Sequence, residues 1–466
     1  MPEEPADHDA VPTHWYNVLS DLADVEDAAR LRRARPDSHV HRPTGGIAPQ
    51  IPLSMYRQSV GDDRFVPIPA EVRETYRRWR PTPLRRARRL ERFLGTPARI
   101  YYKYEGASPT GSHKLNTALA QAHYYKQAGI THLTTGTGAG QWGSALALAC
   151  QSYGIQCTVY MVRCSYEQKP YRRVLMELAG AEVIASPSTT TEAGRAAVRR
   201  DPDTDGSLSI ANAEAFEHAS TTAGRGFSVG SGENHVLLHQ TVIGQEALTQ
   251  LGALGEFPDV VIGSVGAGSN FSGLAFPFHG ERVRTGRDVR LLAVEPEACP
   301  KLTKGHYAWD YNDFTGITPM TKMYTLGHLF VSPGIHAGGL RYHGAAPLVS
   351  AMRHQGLIDA VAYPQGAVFE AGTAFAEHEW IVPAPESAHA VRAAIDEALD
   401  AKEQRRERVV LFNLSGHGLL DLSAYDQHLS GRMHDMAATD EQIARSLTVL
   451  PRIDEERPAH AHRAHG

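Results

Sequence analysis

The feature that most constrains the fold of this chain is a regular alternation of helical patterns and short apolar strands beyond residue 98. In the first half of the chain, the helical pattern precedes the strand in each pair of segments, and the pairs are 114–128 and 132–135, 141–153 and 156–162, and 168–178 and 182–184. Strands separated by helices of about 10 to 15 residues are typical of βαβ units, which form a parallel sheet with helices on both faces. This part of the chain is therefore predicted to be an α/β unit.

A second run of the same kind predicts a second α/β unit. Its segments are a helix at 236–251, strands at 260–265 and 291–295, helices near 345–355, 367–378 and 388–403, and a strand at 409–413. The region 300–344 is predicted to be long and irregular, and 189–212 gives no clear pattern. The expected fold class is α/β, with two doubly wound parallel-sheet domains and a cleft between them.

The length of 466 residues is sufficient for two or three domain-sized units. An N-terminal extension, with Trp15 and Tyr16 packed on the body, is followed by a segment that packs with the C-terminal domain. An N-terminal α/β domain, which starts with a strand at 98–104 and includes a mobile substrate-side subdomain, precedes the C-terminal α/β domain and a partly disordered tail. In chain order these five predicted units are 1–50, 51–97, 98–230, 231–440 and 441–466.

Composition argues against several classes of partner. The formal net charge is −5 and the basic residues are scattered, which favours neither nucleic acid nor an anionic membrane surface as a partner. There is no run of about 18 apolar residues, and the acidic N-terminus lacks the regions of a signal peptide, so we expect a cytoplasmic protein. No metal site is predicted, because the four cysteines lack a Cys-x-x-Cys spacing and His460, His462 and His465 belong to the tail.

Lysine is scarce in this chain, which makes Lys114 stand out. Only eight of the 47 basic residues are lysines, and Lys114 starts a helical pattern directly after Gly111, Ser112 and His113. A lysine that forms an imine must be unprotonated part of the time, which requires desolvation or a neighbouring positive charge. The adjacent His113 and the helix start fit that requirement, although an ordinary surface lysine is the alternative.

Two glycine-rich turns are predicted to bind anions. The first, Gly266-Ala267-Gly268-Ser269-Asn270, follows an apolar strand and precedes a helix, where backbone N–H groups collect a phosphate. A tight connection without a ligand is the alternative, and a nucleotide site is disfavoured because the P-loop Lys-Ser/Thr pair is absent. The second turn, Thr137-Gly138-Ala139-Gly140-Gln141-Trp142, suits a carboxylate that approaches the backbone closely. An amino acid held on a phosphorylated cofactor would occupy both turns.

Ser415 follows the last predicted strand in a Ser-Gly-x-Gly turn. A hydroxyl at this place can hydrogen-bond a neutral pyridine nitrogen without charging it. An unprotonated ring nitrogen weakens the ring as an electron sink and favours β-elimination and replacement over transamination.

These residues lie in motifs that resemble the tryptophan synthase β chain family, in its second, longer type, whose members are pyridoxal-phosphate enzymes of fold type II. The resemblance extends over residues 12 to 435. Its motifs are Pro-Thr-Pro-Leu (81–84), Ser-Pro-Thr-Gly-Ser-His-Lys (108–114), Gly-Ala-Gly-Gln-Trp-Gly (138–143), Gln-Lys-Pro-Tyr-Arg-Arg (168–173), Asn-His-Val-Leu-Leu-His-Gln-Thr-Val-Ile-Gly (234–244), Leu-Gly-His (326–328), His-Ala-Gly-Gly-Leu-Arg-Tyr-His-Gly (336–344), Pro-Ala-Pro-Glu-Ser-Ala-His-Ala (383–390) and Asn-Leu-Ser-Gly-His-Gly (413–418).

The resemblance implies that pyridoxal 5'-phosphate lies in the cleft between the two domains, with Lys114 as the catalytic residue that forms the Schiff base. The implied cofactor-binding residues are His113, Lys114, Gly266, Ala267, Gly268, Ser269, Asn270, Glu386 and Ser415. The implied substrate-binding residues are Thr137, Gly138, Ala139, Gly140, Gln141 and Trp142. The family reaction removes the β-hydroxyl of serine to give an aminoacrylate, which indole attacks to form tryptophan. A homodimer is expected, and a partner α chain is left open.

The sequence departs from the family pattern at Gly136. The family has a glutamate there, which helps the hydroxyl leave and then takes the proton of the indole nitrogen. Such groups are typically worth about 10²- to 10⁴-fold in rate, so its loss should slow the serine and indole reaction severely. Ala267 is a smaller departure, since the family usually has a third glycine in the phosphate turn.

Three explanations of Gly136 remain open. The enzyme uses a donor with a better leaving group, such as O-phosphoserine; it takes a different nucleophile or acceptor; or it is a poor catalyst that binds a partner. We favour a changed substrate among them. The alternatives to β-replacement are a serine- or threonine-type deaminase and a non-catalytic homologue that binds the cofactor or a partner.

Overall fold

The fold is built on two parallel sheets, seen in a computed structural model that describes residues 11–22 and 51–451 together with the backbone of residues 32–33. Most of the predicted N-terminal extension and the histidines of the tail lie outside these described residues. In chain order the strands are β1 (His14–Tyr16), β2 (Arg32–Arg33), β3 (Phe65–Pro67), β4 (Leu84–Arg86), β5 (Arg99–Tyr104), β6 (His132–Thr137), β7 (Gln156–Val162), β8 (Glu182–Ser186), β9 (Arg225–Phe227), β10 (Val260–Ser264), β11 (Arg290–Pro296), β12 (His306–Tyr311), β13 (Met320–Thr325), β14 (Asp359–Tyr363) and β15 (Val409–Leu414).

Helices connect most of these strands. They are α1 (Leu53–Val60), α2 (Ala70–Tyr76), α3 (Arg88–Leu94), α4 (Lys114–Gln127), α5 (Gln141–Tyr153), α6 (Arg163–Gln168), α7 (Pro170–Leu178), α8 (Glu192–Arg200), α9 (Leu208–Ala219), α10 (Asn234–Gln240), α11 (Val242–Ala253), α12 (Ser269–Thr285), α13 (Lys301–Lys304), α14 (Pro347–His354), α15 (Gln365–Glu379), α16 (Pro385–Glu403), α17 (Leu422–Leu429) and α18 (Asp440–Leu447). None of the helices in the described part of the chain is long and apolar enough to cross a membrane.

The larger sheet has six strands in the order β14-β11-β10-β15-β5-β4. All its pairs are parallel except β4 with β5, which is antiparallel. Alternate residues of β10 face opposite sides, as the period of two in a strand requires. Val260 and Ile262 pack with α16 on one face, and Val261 packs with α12 on the other. Both faces of this sheet are therefore buried.

The smaller sheet has four parallel strands in the order β8-β7-β6-β9. On one face, Leu133 and Val159 pack with α4 and α5. On the other, Tyr160 packs against Ala211 and Ala215 of α9. The two sheets with their helices confirm the predicted α/β class with parallel sheets.

The strand that leads to Lys114 belongs to the larger sheet. The predicted N-terminal domain, 98–230, opens with this strand, but β5 pairs with β15 through the register Arg99 to Val409. The local pattern marks β5 as a strand and carries no information about its partner. The division into five units remains a prediction, and β5 joins the part of the chain that carries Lys114 to the C-terminal part.

Two regions contain more regular structure than the sequence pattern indicated. The prediction that 300–344 is irregular was wrong, because β12 and β13 pair antiparallel there and β13 also pairs with β2. Glycine and proline residues around the connection obscured the strand signal. The unclear region 189–212 holds α8 and most of the N-terminal half of α9. The helix predicted at 236–251 is divided into α10 and α11 at Thr241.

Both ends of the described chain pack on the body. Trp15 is fully buried with its ring 4.3 Å from that of His239, which confirms the prediction that the N-terminal aromatic cluster packs on the body. In the predicted tail, Ile443 of α18 is buried against Leu326 and Phe330. The first residues of the tail are therefore helical and packed.

Candidate active site

Lys114 occupies the first position of α4, at the end of a tightly bonded loop. Within this loop, Ser108 Oγ accepts a hydrogen bond from the Ser112 backbone nitrogen at 3.0 Å and donates one to the Ser112 carbonyl at 2.7 Å. Gly111 has a φ of +70°, a left-handed conformation that favours glycine. The loop fixes where the lysine side chain leaves the backbone, and that side chain lines two adjoining pockets.

The amine of Lys114 differs from those of the other lysines buried in the structure. The others each face a carboxylate, in the pairs Lys103–Glu246 at 2.7 Å, Lys169–Asp421 at 2.5 Å and Lys301–Glu295 at 3.8 Å. Lys114 Nζ has no hydrogen bond or ion pair within the described residues. Burial lowers the pKa of Lys114 to about 8, against the opposing effect of Glu386. An amine in this state is suited to imine formation.

The predicted phosphate turn lies at the other side of one of these pockets. It connects the end of β10 to the start of α12, and Gly266 through Asn270 line the pocket together with Lys114. A β-carbon at Gly266 would overlap the carbonyl oxygen of Gly339, and one at Gly268, where φ is +126°, would lie 2.7 Å from Val349. Ala267 accommodates its methyl group while buried. The turn thus forms a close backbone cradle at a helix N-terminus, the arrangement that binds phosphate.

His113 links the phosphate turn to Ser415. Its Nε2 hydrogen-bonds with Ser269 Oγ at 3.0 Å, and its Nδ1 makes a short hydrogen bond with Ser415 Oγ. Burial, assisted by the charge of Lys114, holds the pKa of His113 well below its usual value. The imidazole is therefore neutral at physiological pH, with one nitrogen donating and the other accepting.

Glu386 and Ser415 complete the lining of this pocket. Glu386 Oε1 accepts a hydrogen bond from the backbone nitrogen of Gly339 at 2.8 Å, which fixes the segment that packs against the phosphate turn. Its Oε2 is buried and has no hydrogen-bond partner within the described residues. Ser415 follows β15 directly, at the carboxyl edge of the larger sheet.

The predicted carboxylate turn lines the second pocket, which shares Lys114 and Gln141 with the first. Thr137, Gly138, Ala139, Gln141 and Trp142 line it, whereas Gly140 lies behind it against Arg172 with a φ of +89°. Trp142 Nε1 donates a hydrogen bond to Thr135 Oγ1 at 2.7 Å, so its indole N–H is not available to donate to a substrate. A carboxylate here would be bound by backbone N–H groups at the start of α5.

Gly136 also lines this second pocket, and α9 closes the space beside it. A β-carbon at position 136 would lie 2.5 Å from Asn212 Oδ1 and 2.7 Å from the Asn212 backbone nitrogen. The missing glutamate has therefore not left a hole, because the backbone of a helix packs where its side chain would begin.

Several polar residues that line these pockets were not predicted from the sequence. They are Asn212, Ser231, Glu233 and Asn312. Glu233 directly precedes the recognised motif at 234–244, which was the one local signal that could have identified it. Asn212 and Asn312 lie in regions whose pattern gave no clear structure, so nothing local marked them.

The residues present fit pyridoxal phosphate. The glycine turn at the start of α12, the amine of Lys114 and the hydroxyl of Ser415 all line one cavity. Glu386 Oε2, which is buried and finds no hydrogen-bond partner in the part of the chain that the structure describes, lies at the same cavity and offers a polar cofactor a further contact. These donors match an aldehyde that carries a phosphate and a ring nitrogen.

Comparisons with known proteins agree with this geometry. Tryptophan synthase beta chain 2 of Aquifex aeolicus is 54% identical over 91% of this chain and 98% of its own length. Its counterpart in Methanosarcina mazei is 52% identical over 92% of this chain and 96% of its own length. A solved fungal L-serine ammonia-lyase from Rhizomucor miehei shares the fold, with a TM-score of 0.56, 15% identity, and coverage of 76% of this chain and 98% of that one.

The sequence profile of one family extends across both sheets and across the four segments that carry Lys114, the two glycine turns and Ser415. It matches residues 76–416. This chain therefore belongs to the pyridoxal-phosphate dependent enzyme family, as a member similar to the tryptophan synthase β chain of the second type.

Proposed function

We propose that this chain catalyses β-replacement on serine or a related amino acid. The relatives with about half of their residues identical are named tryptophan synthase beta chain 2, which supports this reaction class. The observation that carries the proposal is the shared position of Lys114, which lines both the cavity of the phosphate turn and the pocket of the carboxylate turn. An amino acid in the second pocket would thus lie beside a cofactor in the first.

Each residue of the first cavity has a distinct task in this proposal. When bound, pyridoxal phosphate supplies an electron sink that stabilises negative charge on the α-carbon of the amino acid joined to it. The N–H groups at the start of α12 would hold the phosphate, and the hydroxyl of Ser415 would hydrogen-bond the ring nitrogen. The neutral His113 lies between Ser269 and Ser415 and orients both hydroxyls through its two ring nitrogens.

In this proposal, Lys114 is the base that removes the proton from the α-carbon of the substrate. An amine with a pKa of about 8 is unprotonated in a useful fraction near neutral pH and can accept this proton. The carboxylate turn holds the substrate with its α-carbon toward that amine. Gln141 lines both pockets and would hold the two ligands in register.

The glycine at position 136 decides which amino-acid donors should be compared in the experiment that tests this proposal. No side chain at this position can protonate the leaving hydroxyl of serine, so a donor with a better leaving group, such as O-phosphoserine, is the main alternative to serine. Purified holoenzyme is incubated with serine, O-phosphoserine, cysteine or threonine, each with and without indole, and products are identified by mass spectrometry. Replacement products from any donor support the proposal.

Two other outcomes would contradict β-replacement. Release of a keto acid at the same rate with and without a nucleophile would indicate a deaminase. No change in the cofactor spectrum with any donor would indicate a non-catalytic homologue. The predicted homodimer is checked separately by the mass of the purified protein in solution, and addition of a tryptophan synthase α chain tests for that partner.

A further inference from the structure

We propose that Glu233 is the acid-base group of this site, in place of a carboxylate at position 136. The inference rests on the proposed β-replacement and adds a catalytic residue to it. Glu233 lies directly before α10 and lines the pocket that also contains Lys114, Gly136 and Asn212. The function of the missing side chain would thus be supplied from a different element of the fold.

The lining of the pocket leaves few candidates for a proton donor. Among the described residues that line this pocket, Lys114, Glu233 and Tyr342 have side chains with a titratable proton. Lys114 is committed to the proton of the α-carbon. Burial raises the pKa of Tyr342, and its hydroxyl is within 3.1 Å of Asn312 Oδ1, so it stays protonated and bonded. Glu233 provides the carboxyl group that lines this pocket.

The backbone around Glu233 is held on both sides. On the N-terminal side, a β-carbon at Gly230 would overlap the ring of Trp142, so this segment lies directly on the start of α5. On the C-terminal side, the Glu233 carbonyl accepts hydrogen bonds from the Val236 and Leu237 nitrogens at 2.9 and 3.1 Å. One carboxylate oxygen of Glu233, Oε2, is shielded from solvent. The carboxyl group therefore faces a restricted space.

Glu233 also lines a second, largely apolar pocket next to the first. Asn212 and Asn312 are shared between the two pockets as well. The apolar lining of the neighbouring pocket includes Ile51, Tyr125, Phe216, Phe227 and Pro319. Glu233 therefore lines both the pocket proposed for the amino acid and the neighbouring pocket, whose apolar lining suits an apolar, planar nucleophile. One carboxyl group can serve both the leaving group and the nucleophile from there.

The proposed step balances its protons and electrons. Lys114 takes the α-proton, and the electron pair of that C–H bond forms the double bond between the α- and β-carbons. The β-carbon to oxygen bond breaks with its electron pair on oxygen, and the protonated Glu233 gives that oxygen a proton, so that water leaves. The nucleophile then bonds to the β-carbon and gives its proton to the Glu233 carboxylate, while the electron pair of the double bond returns to the α-carbon. Lys114 gives its proton back to the α-carbon, so both side chains are ready for another cycle.

Leaving-group dependence tests this assignment. Chloride is a good leaving group and departs from 3-chloro-L-alanine without being protonated. The hydroxyl group of serine is a poor leaving group and must be protonated, so that it departs as water. In the holoenzyme, Glu233→Gln is expected to lower kcat/KM for serine by about 100-fold or more, and for chloroalanine by less than about threefold, since only the first needs the acid. Glu233→Asp should recover part of the serine activity. The matched control is Glu74→Gln, an exposed glutamate on α2, which should change neither.

Binding measurements separate catalysis from structure. Affinity for pyridoxal phosphate and for L-alanine, which has no β leaving group, should be unchanged in Glu233→Gln. Full serine activity in this variant, or an equal loss with both donors, would overturn the role of Glu233. A wild-type enzyme that reacts with neither donor would overturn the proposed β-replacement and this inference with it.

Discussion

Asn212 occupies the space beside Gly136, since a β-carbon at position 136 would lie 2.5 Å from its Oδ1 atom and 2.7 Å from its backbone nitrogen. The amide side chain can rotate away, but the backbone of α9 cannot move without shifting the helix. We expect Gly136→Glu to cost about 1–3 kcal/mol of stability, the usual price of overpacking. It should not raise tryptophan formation from serine and indole, as thermal unfolding and steady-state rates will show.

Gly252→Glu is the matched control for this substitution. Gly252 lies in α11, where no atom of the described residues outside the helix's own backbone comes within 4 Å of a β-carbon, so the same side chain should be tolerated there. A Gly136→Glu variant that keeps the wild-type unfolding temperature and forms tryptophan faster would contradict the packing argument. Asn212→Gly, combined with Gly136→Glu, should recover only the part of the loss that comes from the amide side chain.

The state of Lys114 predicts how the apo-protein takes up its cofactor. Added pyridoxal phosphate should give an imine band near about 410 nm, and none in Lys114→Ala. Because the pKa of Lys114 is lowered to about 8 by burial, its unprotonated fraction rises with pH through that value. Between about pH 7 and pH 9 the rate of imine formation should therefore increase about tenfold and then level off.

An ordinary lysine would behave differently in the same measurement. Its rate would continue to rise steeply above pH 9, because its pKa is close to about 10.4. Such a profile would contradict the lowered pKa of Lys114. Lys126→Ala, which removes an exposed lysine at the end of α4, should leave the band and its pH profile unchanged.

The sequence predicted those parts of the site that depend on short, local patterns. The apolar run of β10 followed by a glycine-rich turn predicted the cradle at α12, and the scarcity of lysine directed attention to Lys114. The position of this turn between β10 and α12 could be predicted because a helix N-terminus and a left-handed glycine are formed by residues adjacent in sequence. The parallel sheets followed from the same local periodicity.

The remaining parts of the site depend on contacts between distant residues. Asn212 comes within reach of Gly136 because α9 packs across the smaller sheet, which no spacing rule predicts. Glu233 lines the same pocket as Lys114, although more than a hundred residues of chain separate them. The pairing of β5 with β15 was not predicted for the same reason, since the residue pattern of a strand does not indicate which strand it pairs with.

His113 is predicted to control cofactor affinity through the two hydroxyls it holds. His113→Ala removes its hydrogen bonds with Ser269 and Ser415 and should weaken pyridoxal phosphate binding by about tenfold or more, measured by absorbance titration. Because burial and Lys114 hold the pKa of His113 well below its usual value, affinity should show no His113 transition between about pH 6 and 8.

Two measurements distinguish this role from a general loss of folding. His306→Ala, which removes an exposed histidine of β12, should leave the affinity unchanged. Ser269→Ala should weaken binding as well, and the double variant with His113→Ala should lose less than the sum of the two. Additive losses would mean that His113 acts independently of Ser269.

The last prediction concerns a buried ionic cluster behind α4. Arg80 contacts both Glu105 and Glu246 at 3.0 Å, Lys103 contacts Glu246 at 2.7 Å, and all four side chains are fully or almost fully buried. Glu246→Gln leaves two buried cations with one carboxylate, which should lower stability by about 3–5 kcal/mol, measured by urea unfolding.

The surface pair of Glu74 and Arg77 provides the comparison for this cluster. Glu74→Gln breaks an ion pair of 2.8 Å whose glutamate is mostly exposed, so the loss should stay within about 1 kcal/mol. If Glu246→Gln costs no more than this surface variant, the buried charges do not depend on one another. A large loss with a normal imine band at low urea concentration would show instead that the cluster stabilises the fold without entering the chemistry of Lys114.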